Sequence, residues 1–297
     1  MDIKFYVNRP HNYEYSEIEF PIVLNDYKKI IDVFIFLINT LVDEKIKDKG
    51  WKYFSETLAI KFSLSANSLC QVINGSQVES SLSRLSTRIF DISSLYILMR
   101  AQIENYLTFY YLYIQPKSEE EQEFRFLIYE MSGLENRQRF DTIFKDLQTI
   151  QINERRRIEE ILIKIKNNRL FHTLSSKQKA DILKNKHAKI ISWSKLLEES
   201  DLVSSIFKKA WLLYSNFAHS EYASLIQIKG YFQEPYKTLS TRNLIQFMAL
   251  VLISIFVKDF ITLYPEIENR YSSIQANDKE VIEFFNGIGR RSISLIK

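Results

Sequence analysis

A chain of 297 residues with six glycines and five prolines, against 21 phenylalanines and 17 tyrosines, has too few turn-formers for a sandwich, barrel or Rossmann fold and calls for long helices. Its one cysteine, Cys70, excludes an intramolecular disulfide framework and a cysteine metal cage. The net charge of +4 hides an asymmetry, because residues 137–195 hold 15 Lys or Arg against 6 Asp or Glu, a local +9 that leaves −5 elsewhere.

Residues 1–24 contain Pro10 and Pro21 and open without the apolar run of a secretory signal. They read as an extended arm, and a reducing cytoplasm is the expected location. Asn25 is placed to cap a helix with the stripe Tyr27, Ile30, Ile31, Phe34, Leu37, Ile38, Leu41 and Val42, ended by Lys49 and Gly50. Trp51–Ile73 reads as a second helix stopped at Asn74 and Gly75. Ser76 and Glu79 then form a capping box that predicts one long helix over about 79–115. Leu82, Leu85, Ile89, Ile92, Tyr96, Met99, Ile103, Tyr106, Tyr110 and Tyr113 follow at alternating threes and fours. Leu95, Leu98, Phe109 and Leu112 fill the other faces, so this helix belongs in the middle of a bundle.

Pro116 ends it, and a second box, Ser118 with Glu121, opens an antiparallel neighbour that carries Arg125 and Tyr129 one turn apart. Between 136 and 199 the pattern breaks into shorter helices rich in Lys and Arg. Asp201 is placed to cap a helix reaching about Gly230, and an apolar helix runs from Leu239 or Ser240 to near Pro265. Its most apolar part, Leu244–Val257, ends at Lys258 and Asp259, short of the roughly 20 residues a membrane span needs, so it reads as a core helix and no membrane partner is expected. The expected architecture is all-α. An arm (1–24) precedes a bundle core (25–135 and 200–265) with a basic helical insertion (136–199) and an amphipathic tail (266–297).

Two polar pairs interrupt the apolar stripes. Arg100 sits mid-stripe on the central helix with Glu104 one turn on, where guanidinium and carboxylate can meet through charge-assisted hydrogen bonds. Ser215 and His219 are likewise one turn apart, in an arc shared with Leu212, Tyr222, Ala223 and Ile226. Were the two helices to bring these pairs together, His219 would serve as general base on a ribose 2′-hydroxyl, Arg100 would stabilise the phosphorane and Glu104 would orient Arg100, without metal or cofactor. In the alternative, the four residues are a structural network that fixes helix register, and the protein is a non-catalytic interaction module. Arg125, Tyr129 and Tyr222 are the supporting candidates in either case.

Three runs, LMRAQIENYLTFYYLYIQP, FRFLIYEM and LLYSNFAHSEYASL, resemble a family of bacterial helical domains of unknown function marked by R-x3-E, R-x3-Y and S-x3-H. The likeness spans about residues 80–260. That family is similar in architecture to the HEPN helical bundles, many of which are ribonucleases or toxins of antiviral defence. The resemblance therefore implies a defence or toxin-type protein that acts on RNA. HEPN enzymes carry arginine and histidine on one helix as R-x4-6-H, whereas here the nearest basic residue before His219 is Lys209, so Arg100 would have to act from another helix.

The basic insertion offers Arg155, Arg156, Arg157, Lys164, Lys166, Lys184 and Lys186 as phosphate contacts, against the plainer alternative of a solvated helix face. Expected partners are RNA, a protein encoded nearby, and a second copy of the chain. Signatures of zinc proteases, di-metal bundles, P-loops and serine hydrolases are missing, and His11, His172 and His187 are too scattered for a metal site.

Overall fold

The computed structural model describes residues 19–43, 51–82, 85–140, 144–200, 202, 204–219, 221–233 and 235–290. The fold is all-α apart from one short hairpin. Helix α1 (Glu19–Asp43) starts six residues ahead of the expected Asn25 cap. Pro21 lies in its first turn, where a missing N–H breaks no intrahelical bond. The remainder of the expected N-terminal arm, and the expected cap Asp201, lie outside the described residues.

Helix α2 (Tyr53–Ile73) stops where expected, and Gly75 takes a φ of 79° that an L side chain resists. The chain then departs from the sequence reading. Ser76–Ser80 (β1) pairs antiparallel with Leu85–Ile89 (β2), Val78 opposite Thr87, so the expected capping box at Ser76 and Glu79 is a strand. The serines and β-branched residues here disfavour helix, and the three apolar residues that matched the helical spacing are too few to override them. Leu82, expected on the buried face, is 99% exposed in the hairpin's turn. The central helix α3 (Ile92–Phe109) begins instead at Asp91, whose carboxylate accepts the Ser94 N–H at 3.0 Å.

From Tyr110 to Ile114 α3 widens into a π-helical turn. Gln115 N–H bonds to Tyr110 O at 2.9 Å instead of Tyr111 O, and Pro116 has no N–H to offer. The Tyr111 carbonyl is thus left without its helical partner. Arg125 on α4 (Glu119–Arg137) supplies one, its Nη1 donating to Tyr111 O at 2.8 Å.

After α4 come α5 (Lys145–Asn167), α6 (Arg169–Thr173), α7 (Ser176–Leu183), α8 (Trp193–Glu199), α9 (Ser204–Ala218), α10 (Tyr222–Gln233) and α11 (Pro235–Leu263). Pro265–Ile267 is a 3-10 turn, followed by α12 (Glu268–Ser273) and α13 (Ala276–Arg290). The single helix expected from Asp201 to Gly230 is therefore two. They part around residues 219–221, where Glu221 N–H reaches back to Asn216 O at 2.9 Å.

α3 lies among α2, α9 and α11, and the deepest layer is aromatic: Phe256 sits 4.5 Å from Phe109, 4.8 Å from Phe62 and 5.0 Å from Phe34, ring centre to ring centre. All four rings are fully buried. Truncating any one to Ala would cost about 3–5 kcal/mol. Thr241–Leu263 is long and apolar enough to cross a bilayer by length and composition, but 83% of its most apolar window is buried inside the molecule, as suits a core helix. Gly289 lets α13 approach α11, since a Cβ there would stand 2.4 Å from Ile255 Cδ1.

A second, smaller core joins Phe124, Leu127, Ile128 and Met131 of α4 to Ile158, Ile161 and Ile165 of α5, with Phe171 and Ile182. α4, expected in the main bundle, thus packs with the basic segment. The two form an arm that leaves the bundle at the π turn.

Candidate functional site

The Arg100–Glu104 pair forms as the spacing predicts, with Nε donating to Oε1 at 3.0 Å and both side chains mostly covered. The same Oε1 accepts the Trp211 indole N–H at 3.0 Å, and the guanidinium lies 5.9 Å from the Trp211 ring centre. One carboxylate oxygen thus ties α3 to α9. Trp211 is the residue the sequence reading missed here, although it stands one turn before Ser215.

α3 and α9 run antiparallel: Tyr96 meets Tyr214 and Phe217, each at 4.5 Å, while Arg100 and Glu104, further along α3, meet Trp211, earlier on α9. This register sets His219 level with Ser93, about 10 Å along the axis from Arg100. The His219 imidazole is exposed and makes no hydrogen bond or ion pair among the described residues. Ser215 Oγ donates back to Trp211 O at 2.8 Å, within its own helix. The helices expected to meet do meet, but Ser215 and His219 do not join Arg100 and Glu104 in one network.

The arc assigned to His219 faces outward. Leu212, Leu225 and Ile226 are all more than half exposed and Tyr222 is 77% exposed, so Tyr222 does not support the Arg100 pair. The apolar residues on α9 and α10 form two stripes. Tyr214 and Phe217 enter the core, with Ile228 and Tyr231 packed against it, while Leu212, Tyr222, Leu225 and Ile226 stay on the surface.

Arg125 serves the π turn instead of the Arg100 pair. Besides Tyr111 O, it donates to Gln115 Oε1 and Glu121 Oε1, each at 2.6 Å, and lies 4.6 Å from the Tyr111 ring centre. Burial works to raise the Glu121 carboxyl, but the Lys117 N–H and Arg125 outweigh it and hold it below its ordinary range. Tyr129 is partly buried against the main core, and burial raises its hydroxyl.

The seven basic candidates divide. Arg157 is held by both oxygens of Glu130 at 2.8 and 3.0 Å, Lys186 by Glu135 at 2.8 Å, and Arg155 donates to Gln138 at 2.8 Å. Arg156, Lys164, Lys166 and Lys184 are exposed, with no side-chain hydrogen bond or ion pair among the described residues. Glu159 and Glu160 share the outer side of α5 with the first three of these, so the surface there is mixed in sign.

Two further polar groups escaped the sequence reading. Asp259 closes the most apolar run of α11 yet lies inside the helix, buried to 5% exposure. Tyr106 donates to its Oδ2 at 2.8 Å, and Arg290 of α13 pairs with its other oxygen. Phe260 and Ile261, just beyond Asp259, were the available signal. The second is Lys189, counted among many lysines. It stands 3.7 Å from the Trp193 ring centre, and burial pushes its ammonium down to about 8, with Glu104 pulling the other way.

Among the described residues, no three His, Cys, Asp or Glu side chains converge on a metal position.

The chain matches no family model, no curated protein and no solved structure. Function must therefore be argued from the site's own geometry.

Proposed function

We propose that the chain is a non-catalytic helical interaction module of the bacterial defence or toxin type, HEPN-like in outline, in which Arg100 and Glu104 are a structural clamp. One observation carries this: Glu104 Oε1 is occupied by both Arg100 and Trp211, while the imidazole a nuclease would need is exposed two turns away on another face. A clamp of this kind fixes the register of α3 on α9, and removing either charge would leave the other partly buried and unpaired. The outward stripe of Leu212, Leu225 and Ile226 around His219 is the contact face for a partner protein. The defence or toxin setting is supported by the R-x3-E, R-x3-Y and S-x3-H motifs, together with the all-α fold.

RNA binding is the second reading, favoured by the exposed cations Arg156, Lys164, Lys166 and Lys184. The test expresses the chain in a bacterial host and scores growth arrest or phage protection alongside cleavage of labelled RNA by purified protein. Leu225→Asp should abolish the cellular effect with the fold intact, and His219→Ala should leave any RNA cleavage unchanged. Cleavage that requires both Arg100 and His219 would overturn the proposal.

A further inference from the structure

We propose that the outer face of α10 is the seat of a weak homodimer, in which the α10 helices of two copies pack antiparallel across a two-fold axis at Leu225. The inference rests on the reading of this face as a contact surface and goes further by naming the occupant, a second copy of the chain.

Successive side chains on a helix turn by about 100°, which sets Tyr222, Leu225, Ile226 and Lys229 within a single arc of about 100° on α10. All four are exposed. Large apolar side chains at i, i+3 and i+4 ordinarily mark the side of a helix that meets the core. Here that side faces water, while Ser224 is buried and Ile228 and Tyr231 pack against the main core. α10 thus has two contact faces, one used within the molecule and one left outside it.

The charges at the ends of the outer stripe decide what covers it. Glu221 stands immediately ahead of the helix, its carbonyl accepting the Ser224 N–H at 2.9 Å, and Lys229 lies two turns further on. Both side chains are exposed, and neither makes a hydrogen bond or ion pair among the described residues. Each is four residues from Leu225, about 6 Å along the axis on either side. A two-fold axis through Leu225 therefore brings Glu221 of each copy level with Lys229 of the other. A parallel pairing would set Glu221 against Glu221 and Lys229 against Lys229. The stripe is complementary to itself in one direction only, a symmetry that contact with an unrelated protein does not require.

The area suits a reversible complex. Tyr222, Leu225 and Ile226 leave roughly 400 Å² in water in each copy, so two copies would cover about 800 Å², with the charged ends adding to it. That is the low end for a specific interface, where association is transient and depends on concentration.

Sedimentation equilibrium of the full chain in low salt, from about 1 to about 500 µM, is expected to show monomer and dimer in exchange. Leu225→Asp should weaken the dimer at least about tenfold, with circular dichroism unchanged. Glu221→Lys alone and Lys229→Glu alone should each weaken it about fivefold or more, because each sets like charges together at both ends of the contact. Mixing these two variants should restore association as a one-to-one pair that loosens with added salt. A helix-capping role for Glu221 would not be rescued by mixing. A chain that stays monomeric throughout overturns the inference, as does a dimer indifferent to Leu225→Asp or a mixture no tighter than its components. A monomer whose cellular effect Leu225→Asp still abolishes would overturn the dimer and leave the contact-surface reading standing; a dimer lost in Leu225→Asp without loss of the cellular effect would do the reverse.

Discussion

Replacing Lys189 by methionine should make the protein more stable at neutral pH. Methionine keeps the length and flexibility of the side chain and removes the charge. The drop from 10.5 to about 8 in the Lys189 ammonium corresponds to roughly 3 kcal/mol of penalty for holding it charged in the fold. Partial solvent access and the attraction of the Trp193 ring offset much of this, leaving a gain of about 1 kcal/mol, or about 1–2 °C in melting temperature. The pH dependence fixes the sign. The folded value lies below the unfolded one, so the wild-type penalty is full below about 8, shrinks as pH rises between the two values, and is gone above the unfolded value. Melting curves by circular dichroism at about pH 7 and about pH 9.5 should show Lys189→Met ahead at the first and its lead cut to roughly half or less at the second. A variant that melts below wild type at neutral pH, or a gap that widens with pH, would refute the reasoning.

Gly289→Ala should destabilise by about 1–3 kcal/mol in urea unfolding, because the new methyl would meet Ile255 Cδ1 at 2.4 Å and Val251 Cγ1 at 2.7 Å. Arg125→Met should cost about 3–5 kcal/mol by the same measure, since it strands the Tyr111 carbonyl and leaves Glu121 without its cation. The lowered Glu121 carboxyl contributes stability that is present above its unfolded value near 4.5 and is lost as pH falls through the lower folded value. Acid titration of Arg125→Met should accordingly show a smaller loss over that range than wild type. Trp211→Phe should cost about 1 kcal/mol beyond its lost packing, and a double-mutant cycle with Glu104→Ala should show coupling; strict additivity would mean that the indole bond contributes nothing.

The helical class and the central element were legible in the sequence, because from Ile92 to Tyr113 the alternating spacing and the apolar content agree over six turns. The same spacing misled over residues 82–89, where Leu82, Leu85 and Ile89 matched by number while the serines around them favoured a hairpin. The Arg100–Glu104 pair was readable because both partners lie on one helix. Trp211 was within reach as the residue one turn before Ser215, but a helix stripe does not say which of two apolar faces turns inward. That ambiguity also put Tyr222 and His219 on the wrong side. Lys189 and Asp259 depend on partners 85 and 153 residues away in Glu104 and Tyr106, and no local pattern encodes such meetings.

Tyr111 fastens the arm at both of its roots. Its carbonyl, freed by the extra residue in the π turn, holds Arg125 where the chain enters the arm, and its hydroxyl holds the Ile190 N–H where the chain returns. Deleting Leu112 or Tyr113 would restore ordinary winding, rotate the chain beyond it by about 100° relative to the central helix and undo both fastenings at once. Each hydrophobic core could survive that change separately. The aim of the arm would be lost before its stability, which makes a single tyrosine the keeper of the molecule's shape.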